Sequence, residues 1–184
     1  MKNRTITNPI NGDKVTFIKT CEETNGEYLS AELEVFPNAQ GTSGAPPHYH
    51  ASYTEYFHVL EGELTLTIGK KNIVVTKGQS ATIPMKTIHT FSNKTSQTVK
   101  AILETRPGLQ GFEDSLYIMY GLAGDEKTTK SGMPKSLAHL ALVSSMSDTR
   151  FGGILSFLNP LMRLIAKKAR NKGIEQELVS TYCK

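Results

Sequence analysis

Glu63-Leu64-Thr65-Leu66-Thr67-Ile68 alternates polar and apolar residues with a period of two. In an extended chain this sets Leu64, Leu66 and Ile68 on one face and leaves β-branched threonine, which suits strands, on the other. Glycine-containing turn signals flank the run at Glu61-Gly62 and Gly69-Lys70-Lys71-Asn72, where a residue without Cβ takes positive φ freely. Outward from this hairpin, strand-like runs are expected at 15–19, 28–36, 54–60, 72–76, 80–84, 89–93 and 98–105, with another turn at Lys77-Gly78. Short strands separated by such turns are the pattern of an all-β sandwich or barrel.

Two regions break the pattern. Residues 34–47 form a strand end and a long loop containing glycine and proline; loops of this length inside domains often serve function. Beyond Pro107 the periodicity turns helical, at 112–122 and 136–146, with a polar loop at 125–134 between them. A last helix is expected to begin near Asn159 as N-cap, because Pro160 is best tolerated in a first helical turn. Its apolar residues Leu158, Leu161, Met162 and Ile165 recur at helical spacing, with Arg163, Lys167, Lys168 and Arg170 elsewhere. The chain therefore divides into a β-barrel over 1–107 and a helical C-terminal extension over 108–184 with a basic amphipathic end.

The candidate chemistry lies in the loop-to-strand region. His48 and His50 are two residues apart on an extended segment and so aim at one side. Glu55 is an odd number of positions further on, and a turn or bulge within 51–54 must reset the register before it can join them. His89 arrives on a separate strand. Three imidazoles and one carboxylate suit a first-row divalent ion: Fe, Mn, Ni, Cu, Co or Zn. Such an ion with open positions acts on substrate or water, whereas closed tetrahedral zinc is structural; the ligand types leave both open. Phe57 and Val59 share a strand face with Glu55, as pocket wall or as core. Tyr53, Tyr56 and Met85 lie near the ligands in sequence, His58 reads as a surface or inter-sheet residue, and His139 reads as a hydrogen-bonded packing residue in a helix.

These residues resemble the cupin superfamily. His48-Tyr49-His50, Glu55 and Gly62 match its first motif, with Gly41 and Gly44 bracketing the opening glycine position. Gly78, Pro84, His89 and Asn93 fall in register with the second, where Lys86 replaces an internal glycine. The signature motifs lie within 44–93, and the C-terminal part is similar to small single-domain cupins with a helical end. The resemblance implies a mainly β fold, a jelly-roll barrel (double-stranded β-helix) with C-terminal α-helices. It also implies metal ligation by His48, His50, Glu55 and His89, and often a homodimer. The function it implies is oxidation of a small organic molecule in the barrel, dioxygenase-like. The alternatives are a non-catalytic binding or sensing module and a metal-dependent isomerase or decarboxylase.

The totals agree with a soluble domain: 184 residues, 38% hydrophobic and 21% charged. No apolar run reaches membrane-spanning length, and the first residues lack the apolar core of a signal peptide. With Cys21 and Cys183 far apart and outside any C-x-x-C spacing, a reduced cytoplasmic protein is expected. Net charge is +4, but residues 150–184 hold seven Lys/Arg against two Glu, so the preceding 149 sum to −1. No aromatic residues interleave the cations of the tail, which argues against nucleic acid. Packing on the barrel or a subunit is preferred for this tail over contact with a membrane surface.

Overall fold

In the computed structural model, which describes residues 2–37 and 46–184, the period-two segments pair into two antiparallel sheets. The strands are β1 (Thr5–Thr7), β2 (Lys14–Lys19), β3 (Leu29–Val35), β4 (His48–His50), β5 (Thr54–Glu61) and β6 (Glu63–Ile68). They continue with β7 (Lys71–Thr76), β8 (Ser80–Ile83), β9 (His89–Ser92), β10 (Val99–Arg106) and β11 (Thr149–Phe151). One sheet runs β1-β2-β3-β10-β5-β8 and the other β11-β4-β9-β6-β7. The result is the mainly β, two-sheet arrangement that the alternation predicts, in keeping with the jelly-roll that the resemblance implies, followed by helices.

The apolar alternate residues meet between the sheets. Phe17, Leu29, Phe57, Val59, Leu64 and Leu66 are all buried there, and each such side chain removed from water contributes roughly 1.5–3 kcal/mol. Gly62, Gly69 and Gly78 all take positive φ, so the three expected turns use glycine for the reason foreseen. Most of the long loop before β4, including Gly41 and Gly44, lies outside the described residues.

Four helices follow: α1 (Gln110–Gly124), α2 (Leu137–Met146), α3 (Asn159–Asn171) and α4 (Ile174–Tyr182). Phe112 and Tyr117 of α1 reach into the barrel core, while Ile118 and Leu122 join Ala141, Leu142, Met162 and Ala166 in a second core among the helices. α1 thus serves both. It meets the end of α2 closely, since a Cβ on Gly111 would stand 2.3 Å from the Met146 carbonyl oxygen. No helix among the described residues is long and apolar enough to cross a membrane.

The C-terminal part differs from expectation in four details. The segment contributes a strand, β11, paired to β4 in the register Thr149↔His50 and Phe151↔His48. Asn159 does not cap α3; Leu158 holds that position. The Asn159 amide instead accepts from Phe151 N at 3.0 Å and donates to Phe151 O at 3.1 Å, satisfying both backbone groups of a strand residue. The buried stripe of α3 is Met162, Ala166 and Ala169, and Leu161 faces solvent. His139, half-buried on α2, leaves its buried Nδ1 without a hydrogen-bond partner among the described residues, so it is not the satisfied residue expected.

Candidate metal centre

Both sheets supply the site. β4 places His48 and His50 on its buried side and Tyr49 on the other. His89 opens β9 directly opposite His48 in the sheet register. Glu55 sits on β5 in the opposing sheet, between Ile83 and Thr105 on the neighbouring strands. The parity problem between His50 and Glu55 is therefore solved by a bend at Ala51-Ser52 that carries the chain from one sheet to the other.

The three imidazoles converge, and Glu55 lies beside two of them. Nitrogens of His48, His50 and His89 lie within 4.8 Å of one another. Glu55 Oε2 is 2.9 Å from His89 Nε2, and Glu55 Oε1 is 3.7 Å from His50 Nε2. All four residues are buried.

A second ring of contacts fixes each imidazole. His48 Nδ1 lies 2.9 Å from Pro46 O, and His89 Nδ1 lies 2.9 Å from Thr87 O. A carbonyl oxygen only accepts, so both Nδ1 atoms carry the proton. Tyr53 lies behind His50: its hydroxyl donates to Ser147 O at 3.0 Å and lies 2.8 Å from His50 Nδ1. Its one proton being committed, the phenol oxygen accepts from His50 Nδ1–H. Each imidazole is thus held through Nδ1, and Nε2 of His50 and of His89 lies toward Glu55. Ligating histidines are characteristically oriented in this way.

The electrostatics follow from burial. It lowers the His48 pKa to about 4, aided by the neighbouring charges of His89 and His50, and it lowers His50 as well. At His89 burial acts in the same direction, but the adjacent Glu55 carboxylate outweighs it and raises the pKa. Burial pushes Glu55 upward, and the three imidazoles, His89 foremost, pull it below its ordinary value. Even so, His50 Nε2 and Glu55 Oε2 are buried without a geometrically sound hydrogen bond among the described residues, despite the short approach of His89 to Glu55. Converging lone pairs of nitrogen and oxygen with unmet capacity are what a borderline divalent cation fits.

Of the other residues singled out from sequence, Phe57 and Val59 are fully buried in the core, and the Phe57 ring packs against Phe91 with centroids 5.7 Å apart. Tyr56 and His58 lie on the outer face of β5, where His58 Nδ1 is 2.9 Å from Ser80 Oγ. Tyr56 therefore points away from Glu55, and Met85 is exposed. Three contributors carried no sequence signal. Phe112 of α1 packs its ring 5.5 Å from Tyr53. Ser147 O anchors the Tyr53 hydroxyl. Thr105, cross-strand from Glu55, is buried with its hydroxyl unpartnered among the described residues. The first two come from beyond residue 107, a distance in sequence that no short motif spans.

Residues 38–104 match the family model of the Cupin domain. No curated protein matches the sequence. Among solved structures, the chain is similar to a predicted oxalate decarboxylase of Thermotoga maritima, with 15% identity, 58% of this chain and 98% of that one covered, and a TM-score of 0.48. It is similar to an RmlC-like cupin of Shewanella frigidimarina, with 19% identity, 61% and 89% covered, and a TM-score of 0.48. A sugar phosphate isomerase from a cupin superfamily, from Silicibacter pomeroyi, has 18% identity, 54% and 62% covered, and a TM-score of 0.45.

Proposed function

This chain carries a cupin domain, and from that premise we propose that it holds one divalent transition metal through His48, His50, Glu55 and His89, beside a small organic molecule in the barrel. The observation that carries this reading is the pinning of all three Nδ1 atoms by oxygen acceptors in a cluster of three buried imidazoles, with the Nε2 atoms of His50 and His89 beside the buried Glu55 carboxylate. Leaving buried polar atoms unsatisfied costs roughly 1–3 kcal/mol each, and a shared cation removes that cost.

We assign dioxygenase-like oxidation as its chemistry. A bound first-row metal with open positions supplies Lewis-acid or redox chemistry there. The protein's own part is to orient the four ligands and to keep bulk water out with Phe57 and Phe91. Isomerisation and decarboxylation ordinarily call for a side chain that moves a proton at the substrate. The Nδ1 protons and the Tyr53 hydroxyl proton are already committed. Residues 38–45, Asn-Ala-Gln-Gly-Thr-Ser-Gly-Ala, add no imidazole, carboxylate, thiol, phenol or amine. Chemistry centred on the metal is what such a site favours. A homodimer completes the proposal, and light scattering that returns the mass of one chain removes it.

The test is elemental analysis of protein purified without added metal. One metal per chain is expected in the natural sequence, and loss of it in His50→Ala and His89→Ala. Tyr53→Phe retains the fold but weakens metal affinity about 10–100-fold. Unchanged metal content in both histidine variants refutes the site. Oxygen uptake by loaded protein across small carbonyl, phenolic and thiol compounds then tests the reaction. Ligand binding with no uptake points instead to the binding or sensing module.

A further inference from the structure

We propose that residues 153–172 form a docking face for an anionic lipid bilayer surface. Residues 153–158 are a short 3-10 helix, Gly153–Leu158, that runs straight into α3. None of its side chains is buried: Ile154 is 88% exposed, Phe157 69%, and Leu155 is exposed beside them. Leu161 and Leu164 of α3 are exposed too, on the side turned away from its buried stripe of Met162, Ala166 and Ala169. At 100° per residue, Leu161, Leu164 and Lys168 share that outer side. Five large apolar side chains exposed within residues 154–164 are unusual on a monomer's surface and mark an interaction site.

The projection is held in place at both ends. Gly152 N donates to Pro47 O at 3.0 Å, and a Cβ on Gly152 would lie 2.9 Å from Ile88. At the far end the Asn159 amide closes back on both backbone groups of Phe151. An apolar tip that is already ordered does not lose that conformational entropy on binding.

Charge selects the occupant. Residues 149–174 contain six Lys/Arg and no Asp or Glu. Arg150 and Arg170 are neutralised by Asp148 and Glu175; Arg163, Lys167, Lys168 and Lys172 have no ion pair among the described residues. The apolar residues lie at the N-terminal end of this face and the free amines at the C-terminal end. That separation fits a tip seated at the headgroup–acyl boundary with lysines among lipid phosphates. A second copy meeting this face would bring a second set of the same cations and no carboxylate from the segment to offset them. Aliphatic side chains are also poor stacking platforms for nucleic acid.

Co-sedimentation of the full chain with vesicles tests this directly. Binding is expected to phosphatidylcholine mixed with phosphatidylglycerol, much less to phosphatidylcholine alone, and to weaken with salt. Lys167→Ala with Lys168→Ala lowers the partition coefficient about thirtyfold. Phe157→Ser with Leu161→Ser abolishes pelleting while far-ultraviolet circular dichroism stays unchanged. Lys70→Ala with Lys71→Ala, on the turn between β6 and β7, leaves binding intact. The proposal is overturned if neither vesicle binds the protein, or if the Lys70/Lys71 variant loses as much as the Lys167/Lys168 variant. It also fails if the natural chain is a dimer that Phe157→Ser with Leu161→Ser dissociates and vesicles do not bind.

Discussion

Lys86 occupies the glycine position of the second motif with φ of 63°, a left-handed conformation in which a side chain costs about 1–2 kcal/mol. The turn survives because its backbone is tied elsewhere: Lys86 N donates to His50 O at 2.6 Å, linking the turn before His89 to the strand of His48 and His50. Lys86→Gly is expected to raise stability by about 1 kcal/mol, after the greater flexibility of unfolded glycine is allowed for. Urea unfolding measures this, and a midpoint that falls removes the strain argument. Asn93 shows the opposite case, a motif residue that is structural. Its buried amide donates to Val35 O at 2.8 Å and to Gln97 O at 2.7 Å, fastening the end of β9 to β3. Its register was legible in the sequence, whereas its distant partner Val35 was not.

At the scale of elements, β11 decides how the C-terminal part joins the barrel. Three residues are too few to show a period of two, so nothing in Thr149–Phe151 announces a strand. Asp148 anchors it by accepting from Ala51 N at 2.7 Å and Ser52 Oγ at 2.8 Å and pairing with Arg150. Burial raises the Asp148 pKa, but those hydrogen bonds and the Arg150 charge outweigh it, and the net shift is downward. A lowered carboxylate adds stability above its unfolded value, about 3.9, and that stability is lost as pH falls through the folded value. Asp148→Asn keeps the positive φ, which asparagine tolerates. It is expected to cost about 1 kcal/mol at neutral pH, since the group is partly exposed. It should also flatten the acid side of the stability profile. Denaturant unfolding from neutral pH down past the carboxylate range checks this; parallel profiles for both proteins contradict the assignment.

For the whole molecule, the four proposed ligands bridge two sheets, His48, His50 and His89 from one and Glu55 from the other. A metal held there ties the sandwich together and binds the folded chain alone. Free metal at a hundredfold over its Kd is expected to add about 2.7 kcal/mol of stability, seen as a higher Tm that a chelator reverses. His89→Ala should be indifferent to both additions; a variant Tm that follows metal as the natural protein's does places the stabilising ion elsewhere.

The alternation of Glu63–Ile68 and its neighbours, the glycine turns, and the spacing of His48, His50, Glu55 and His89 are local, and from them the sequence by itself determined a β-sandwich or barrel with Glu55 and His89 on expected strands and His48 and His50 on an extended segment. Periodicity assigns each residue a face, and that requires no knowledge of what lies opposite. The tertiary structure alone decided that the bend at Ala51-Ser52 changes sheets and that Tyr53, backed by Ser147, orients His50. It also decided which side of α3 is buried. Helical spacing made Leu161 as good a core residue as Met162. Packing against α2 and α4 chose the side carrying Ala166 and Ala169, whose small side chains let helices approach closely, and left Leu161 and Leu164 facing outward.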